Sequence, residues 1–147
     1  MNRLLITALL ASVCFGAGVG DVQSVYVLPM AGGLDQFLAN RLVGVFRVVT
    51  DPKLADAVFT DRLGEPFEQK LAELYPKPDA EDTEKEDKAT PPVSSFGRGR
   101  GTVFLVDLKS RAVIWSSFNK RNGSAPETLD RTASRIVQQI RKEQKGK

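Results

Sequence analysis

The chain has 147 residues, a length that fits one domain, and its 21 basic and 18 acidic residues give a formal net charge of +3. It contains no histidine, which excludes Ser–His and Cys–His nucleophile pairs, histidine-bound zinc and imidazole proton transfer. Its one cysteine, Cys14, lies in the amino-terminal apolar run, so loss of that run leaves no thiol for disulfides or cysteine-bound zinc. We therefore predict a non-enzymatic protein without a metal or cofactor.

The first twenty residues have the organisation of a secretory signal peptide. Arg3 supplies a positive charge, residues 4–15 form an apolar run, and residues 16–20 (GAGVG) are small. As a helix this run spans about 18 Å, too short for a hydrocarbon core of about 30 Å. The sequence therefore predicts export to the periplasm, with cleavage preferably after Gly20 and alternatively after Gly18.

Two interpretations of Cys14 remain open. In the first it is an ordinary signal-peptide residue and is removed on cleavage. In the second it is lipidated and becomes the first residue of an outer-membrane lipoprotein. A lipidation signal needs a small residue just before the cysteine, whereas Val13 precedes Cys14. We therefore favour the unlipidated periplasmic form.

The first half of the remaining chain predicts strands that alternate with helices. Runs of β-branched and aromatic residues favour strands, and apolar residues spaced three or four apart favour helices. In chain order we predict a strand over residues 24–30, a helix over 34–42, a strand over 45–49, a capped helical turn at 50–52, a strand over 57–60 and a helix over 66–75.

Residues 77–95 have a different composition. They hold six acidic and three basic residues, and between positions 78 and 91 nothing apolar is larger than alanine. Such a segment cannot bury enough apolar surface to offset its conformational entropy. We predict a disordered acidic insertion that leaves the domain as a surface loop.

The last part of the chain predicts a β-hairpin and a long helix. The hairpin has strands over residues 102–107 and 112–118, joined by a polar connection at 109–111. The helix covers 125–143, with a proline in its first turn. Its apolar residues form one stripe, made of Leu129, Ala133, Ile136, Val137 and Ile140.

The order β-α-β-β-α-loop-β-β-α predicts an α/β (α+β) fold in one domain over residues 21–147. We expect a two-layer sandwich, in which one mixed sheet of about five strands has its helices on one face.

These elements also carry a family resemblance. The first strand ends in Pro29, a small apolar turn occupies residues 44–46, an ADAVF element occupies 55–59, and the hairpin is followed by a closing helix. In these features the chain resembles the amino-terminal domain of TolB and the related CsgG/LpoB-like periplasmic modules. The resemblance implies a non-enzymatic assembly or docking module of the cell envelope. The propeller that follows this domain in TolB has no counterpart here, so no TolB activity carries over.

The hairpin supplies the main candidate interaction residues. Strand alternation predicts Trp115 and Val113 on the same face, and apolar residues also occupy the opposite face. If helices cover only one face, the other is an exposed apolar patch that binds another envelope protein. Trp115, Val113 and Tyr26 are its candidate residues, and core packing is the alternative role for Trp115.

Two basic features suggest an alternative function in binding a small ligand or an anionic lipid surface. Arg98 and Arg100 lie in the glycine-rich stretch 97–101, whose guanidinium and amide groups suit an anion. This stretch precedes a strand, unlike nucleotide-binding loops, so a flexible linker is the favoured interpretation.

The second basic feature is the C-terminal helix. Its basic side suits anionic lipid head groups, although a solvated helix face is the favoured interpretation. No aromatic residue interleaves with these cations and exported proteins rarely meet nucleic acid, so we predict no nucleic-acid partner. The cations are Arg131, Arg135, Arg141, Lys142, Lys145 and Lys147.

Overall fold

The computed structural model describes residues 18–74, 101–120 and 123–146. Most of the predicted signal peptide, with Cys14, lies outside these ranges, as do the acidic insertion and the stretch that carries Arg98 and Arg100. The described residues form one mixed sheet of five strands together with three α-helices.

The elements follow the predicted order. They are β1 (Ser24–Val27), α1 (Leu34–Leu42), β2 (Arg47–Val48), β3 (Ala57–Thr60), α2 (Glu65–Leu74), β4 (Thr102–Asp107), β5 (Val113–Phe118) and α3 (Pro126–Lys145). Single 3-10 turns occupy Val19–Asp21, Ala31–Gly33 and Pro52–Leu54. The last of these is capped as predicted, because the Asp51 carboxylate accepts a hydrogen bond of 2.9 Å from the Lys53 amide.

The strands lie in the order β2-β1-β3-β4-β5. β1 is parallel to both of its neighbours, and Val25 pairs with Val48 on one side and Ala57 on the other. β4 is antiparallel to both of its neighbours, β3 and β5. The predicted mixed α/β fold is therefore confirmed.

The main core lies between one face of the sheet and helices α1 and α3. All five residues of the predicted α3 stripe are buried in it, together with Leu34, Leu38 and Leu42 of α1. The sheet contributes Val25, Ala57, Phe59, Val103, Leu105 and Trp115. Sheet and helices form the two layers that the sequence predicts.

α2 packs on the opposite face of the sheet. Its Phe67 and Leu71 bury themselves against Val58 and Val106, which point away from the main core because they alternate with core residues along their strands. α1 and α3 thus lie on one face of the sheet, as expected. α2 lies on the other face and covers part of it.

β2 is shorter than predicted. The amides of Val45 and Phe46 both donate to the Leu42 carbonyl, at 2.8 and 2.9 Å, and so extend the C-terminal turn of α1. Phe46 is buried in the main core rather than standing on a strand. The paired strand therefore begins only at Arg47.

Two aromatic residues of β5 are expected to contribute very differently to stability. Trp115 is 6% exposed and its ring centroid lies 6.3 Å from that of Phe59, whereas Phe118 is 69% exposed. We expect Trp115→Ala to lower the free energy of unfolding by about 3–5 kcal/mol. Phe118→Ala should change it by less than about 0.5 kcal/mol. Urea unfolding of both variants measures this difference, and similar losses would contradict the assigned core.

Candidate interaction surface

β5 forms one edge of the sheet and is the candidate interaction element. It has six residues, VIWSSF, and none of them is charged. The opposite edge strand, β2, has only two residues and carries Arg47. Edge strands that avoid association are usually short, charged or covered. By these criteria, and among the residues that the structure describes, β2 is a protected edge and β5 is an open one.

A β-bulge in β5 changes which side chains share a face. Leu105 pairs with Trp115, but the next residue of β4, Val106, pairs with Val113, so Ile114 is the extra residue. Val113 therefore stands on the α2 side of the sheet, while Trp115 points into the main core. The prediction that Val113 and Trp115 share a face is wrong, because the bulge interrupts the strict alternation on which it was based.

The outer backbone groups of β5 face away from the sheet. The Asn119 amide donates to the Gly101 carbonyl at 2.7 Å, which makes these two residues a hydrogen-bonded pair. Bonded and non-bonded pairs alternate in antiparallel strands, so Ser117 and Trp115 bond to β4. The N–H and C=O groups of Ser116 and Phe118 then point outward, on the side where none of the described strands lies. They offer a row of donors and acceptors to another chain.

A groove runs beside this edge, between β5 and α3. Its volume is about 470 Å³, and Ser116, Phe118, Gln139 and Lys142 are among its lining residues. The Ser117 hydroxyl donates to the Gln139 side chain and so ties β5 to α3. The groove wall is thus held in place by the same helix that closes the main core.

Exposed apolar and basic side chains frame the edge. Val113 is 45% exposed and lies at the beginning of β5, and the far more exposed Phe118 lies at its end. Arg111 and Lys120, both exposed, flank the two ends of the strand. The edge is therefore uncharged along its length and has a cation at each end, of which Arg111 also lies 3.9 Å from the Glu68 carboxylate of α2.

The turn that positions β5 depends on Asp107. Its Oδ2 accepts hydrogen bonds of 2.7 Å from both the amide and the hydroxyl of Ser110, and its own amide donates to the Ala112 carbonyl at 2.9 Å. Burial raises the pKa of the Asp107 carboxyl, but the hydrogen bonds from Ser110 and Lys109 outweigh it and leave this pKa below its ordinary value.

The sequence-predicted site residues are not brought together. Trp115 is 6% exposed and packs in the main core, and it also lines the groove beside β5. Tyr26 is half-buried against the smaller core cluster under α2, and Val113 is exposed. Arg98 and Arg100 lie outside the described residues.

Ser116 and Phe118 were not predicted from the sequence as candidate residues. The signal that could have indicated them is the lack of charge along residues 112–118, a strand with no further strand to follow it.

The basic side of α3 is exposed as expected. Arg131, Arg135, Arg141, Lys142 and Lys145 all lie at the surface, while Asp130 on the same helix forms a 2.7 Å ion pair with Arg41 of α1. Within the described residues, no helix has the length and apolar character needed to cross a bilayer.

Comparison with known proteins gives no match: no family model, no curated protein and no solved structure matches the chain. The resemblance to TolB-type modules therefore remains a prediction from the residues that carry it.

We expect Asp107→Asn to lower stability at neutral pH by about 1 kcal/mol, because the charged acceptor of two hydrogen bonds is lost. The folded-state pKa of Asp107 lies below the unfolded value of about 3.9, so its contribution is complete above that value and disappears as pH falls through the folded pKa. Urea unfolding at pH 7 and pH 3 should show a smaller difference between the variant and the wild type at pH 3 than at pH 7. Glu143→Gln, at an exposed position in α3, is the control, and a difference that is equal at both pH values contradicts the assignment.

Proposed function

We propose that this protein is an exported, non-catalytic docking module of the cell envelope, which binds an extended segment of another envelope protein alongside β5. The observation that carries this proposal is the six-residue uncharged edge strand, with its outward backbone groups and its neighbouring groove. No metal, cofactor or nucleic acid takes part.

Strand addition uses two kinds of contact. Backbone hydrogen bonds to the outward groups of Ser116 and Phe118 supply affinity, and side chains that alternate along the added strand supply specificity. On one side of the sheet, the Phe118 and Val113 side chains offer apolar contacts. On the other side, the groove beside α3 accepts the intervening side chains of the partner.

The charges at the ends of β5 favour a different protein over a second copy. In an antiparallel pairing of two β5 strands, Arg111 of one copy would lie near Lys120 of the other. Like charges across neighbouring strands are destabilising. We therefore propose a partner segment that is uncharged in the middle and acidic at its ends.

The proposal of export also bears on where the signal peptide ends. Val19 is 6% exposed and packs with Val22 in the main core, where its turn contacts α3. Cleavage after Gly20 would remove Val19 from this core. Cleavage after Gly18 keeps it and still places small residues, Gly16 and Gly18, at the positions that signal peptidase requires. We therefore propose Val19 as the first mature residue.

We expect the intact mass of the protein recovered from the periplasm to correspond to a chain that begins at Val19. Mass spectrometry of the purified protein, combined with sequencing of its first peptide, measures this. A chain that begins at Asp21 would contradict the proposed cleavage site, and an acylated Cys14 would contradict the soluble form.

We expect Ser116→Pro to abolish partner binding while the domain stays folded. Proline removes one outward N–H, and because this group does not bond to β4 the hairpin keeps its own hydrogen bonds. A photo-cross-linking residue at Lys120 would capture the partner in the native envelope, and the yield should fall about tenfold or more with the proline. Ser116→Thr keeps the N–H and should keep the yield.

A second pair of variants distinguishes strand addition from non-specific binding to exposed apolar residues. Phe118→Lys should weaken capture, whereas Val43→Lys, at a 68% exposed apolar position away from β5, should not. A synthetic peptide of the captured segment should protect the Ser116 and Phe118 amides from hydrogen exchange. Capture that survives both Ser116→Pro and Phe118→Lys would exclude β5 as the docking element.

A further inference from the structure

A small cavity lies where β1 and β3 end, away from the β5 edge. Its volume is about 240 Å³. One wall consists of Leu28 and Met30, which follow β1, together with Phe67 of α2. The other wall consists of Asp61 and Arg62, which follow β3. The cavity thus combines apolar walls with charged groups.

The topology of the sheet creates this cavity. β1 and β3 are adjacent and parallel. After β1 the chain enters α1 on one face of the sheet, and after β3 it enters α2 on the other face. Where two neighbouring parallel strands send their connections to opposite faces, a crevice opens at their carboxyl ends, and such crevices bind ligands in α/β proteins.

Asp61 supplies a buried acceptor at this crevice. The residue is only 8% exposed, and its Oδ2 accepts a hydrogen bond of 2.9 Å from the Ala31 amide. Its Oδ1 is fully buried and, among the described residues, has no hydrogen-bond partner. The Arg62 Nε lies 3.6 Å from Oδ1, which is an ion-pair contact but too long for a hydrogen bond. A buried carboxylate oxygen without a donor is costly, so this atom is suited to receive one from a ligand.

Two cations lie at the same cavity. The Arg62 and Lys70 side chains both line it, and they are 47% and 50% exposed. Lys70 also forms a 2.9 Å ion pair with the exposed Glu73 on the same helix. Both cations are accessible from solvent and can approach an anionic group at the mouth of the cavity.

We propose that this cavity binds a free amino acid. Its ammonium group donates to Asp61 Oδ1, its carboxylate faces Arg62 and Lys70, and its side chain lies on the wall formed by Leu28 and Phe67. The charged groups of the cavity require a donor and an anion on one small molecule, and the volume and apolar walls suit a single apolar side chain. Binding requires Arg62 to move aside, which its half-exposed side chain and single long contact to Asp61 permit.

This site does not depend on the proposed docking function. β4 separates β5 from β3, and none of the residues of the β5 groove lines the cavity. A failure of one proposal therefore leaves the other unaffected.

The test uses the full mature protein and the standard free L-amino acids as probes in a thermal-shift assay, because a ligand that binds only the folded state raises the midpoint of unfolding. The amino acid with the largest shift is then compared by calorimetry with its N-acetyl and its amide derivatives. We expect an apolar amino acid to bind, and each derivative to bind about tenfold or more weakly, since each lacks one charge.

Variants locate the site. Asp61→Asn and Lys70→Gln should each weaken binding by about tenfold, while Lys53→Gln, an exposed lysine outside the cavity, should have no effect. Lys70→Gln alters an exposed residue, so it remains informative even if the buried Asp61 variant does not fold. The proposal is overturned if no amino acid binds, if the N-acetyl derivative binds equally well, or if Lys70→Gln has no effect.

Discussion

The apolar stripe of α3 packed against the sheet holds the other elements in place. Ile136 and Ile140 are fully buried, and burial of each side chain of this size contributes about 1.5–3 kcal/mol. The same helix contacts α1 and the turn at Val19–Asp21, and its Gln139 fixes β5 through Ser117. The core, the amino-terminal turn and the β5 edge therefore share one support, and loosening α3 would affect all three.

This shared support explains how β5 can have an unpaired outer edge and still be held in a fixed position. β4 bonds to β5 on one side, Trp115 anchors it in the core, and the Asp107 turn fixes its beginning. What remains free is the outer row of backbone groups. A strand that is already ordered loses little further entropy when a partner binds, which favours affinity.

The elements that the sequence predicted well are those whose signal is local. The α3 stripe repeats with the period of a helix, and the alternating hairpin strands flank a short polar turn. The bulge at Ile114 leaves no such signal, and it alone separates Val113 from Trp115. The side on which α2 packs was not predictable either, because nothing local to residues 65–74 indicates a face. The Asp61 cavity unites two loops that are distant in sequence, so it emerges only from the order of the strands.

The buried position of Val19 has a consequence for the timing of maturation. The amino-terminal turn rests on α3, and Gly18 is tied to it through a 2.8 Å hydrogen bond from its amide to Asp21. If the peptide bond after Gly18 is cut by a signal peptidase, the folded domain would shield that bond. α3 follows the other described elements along the chain, so in an exported chain it would cross the membrane after them. In an exported chain, the peptidase could then cut this bond after residue 18 has crossed the membrane and before α3 packs on the core and shields it.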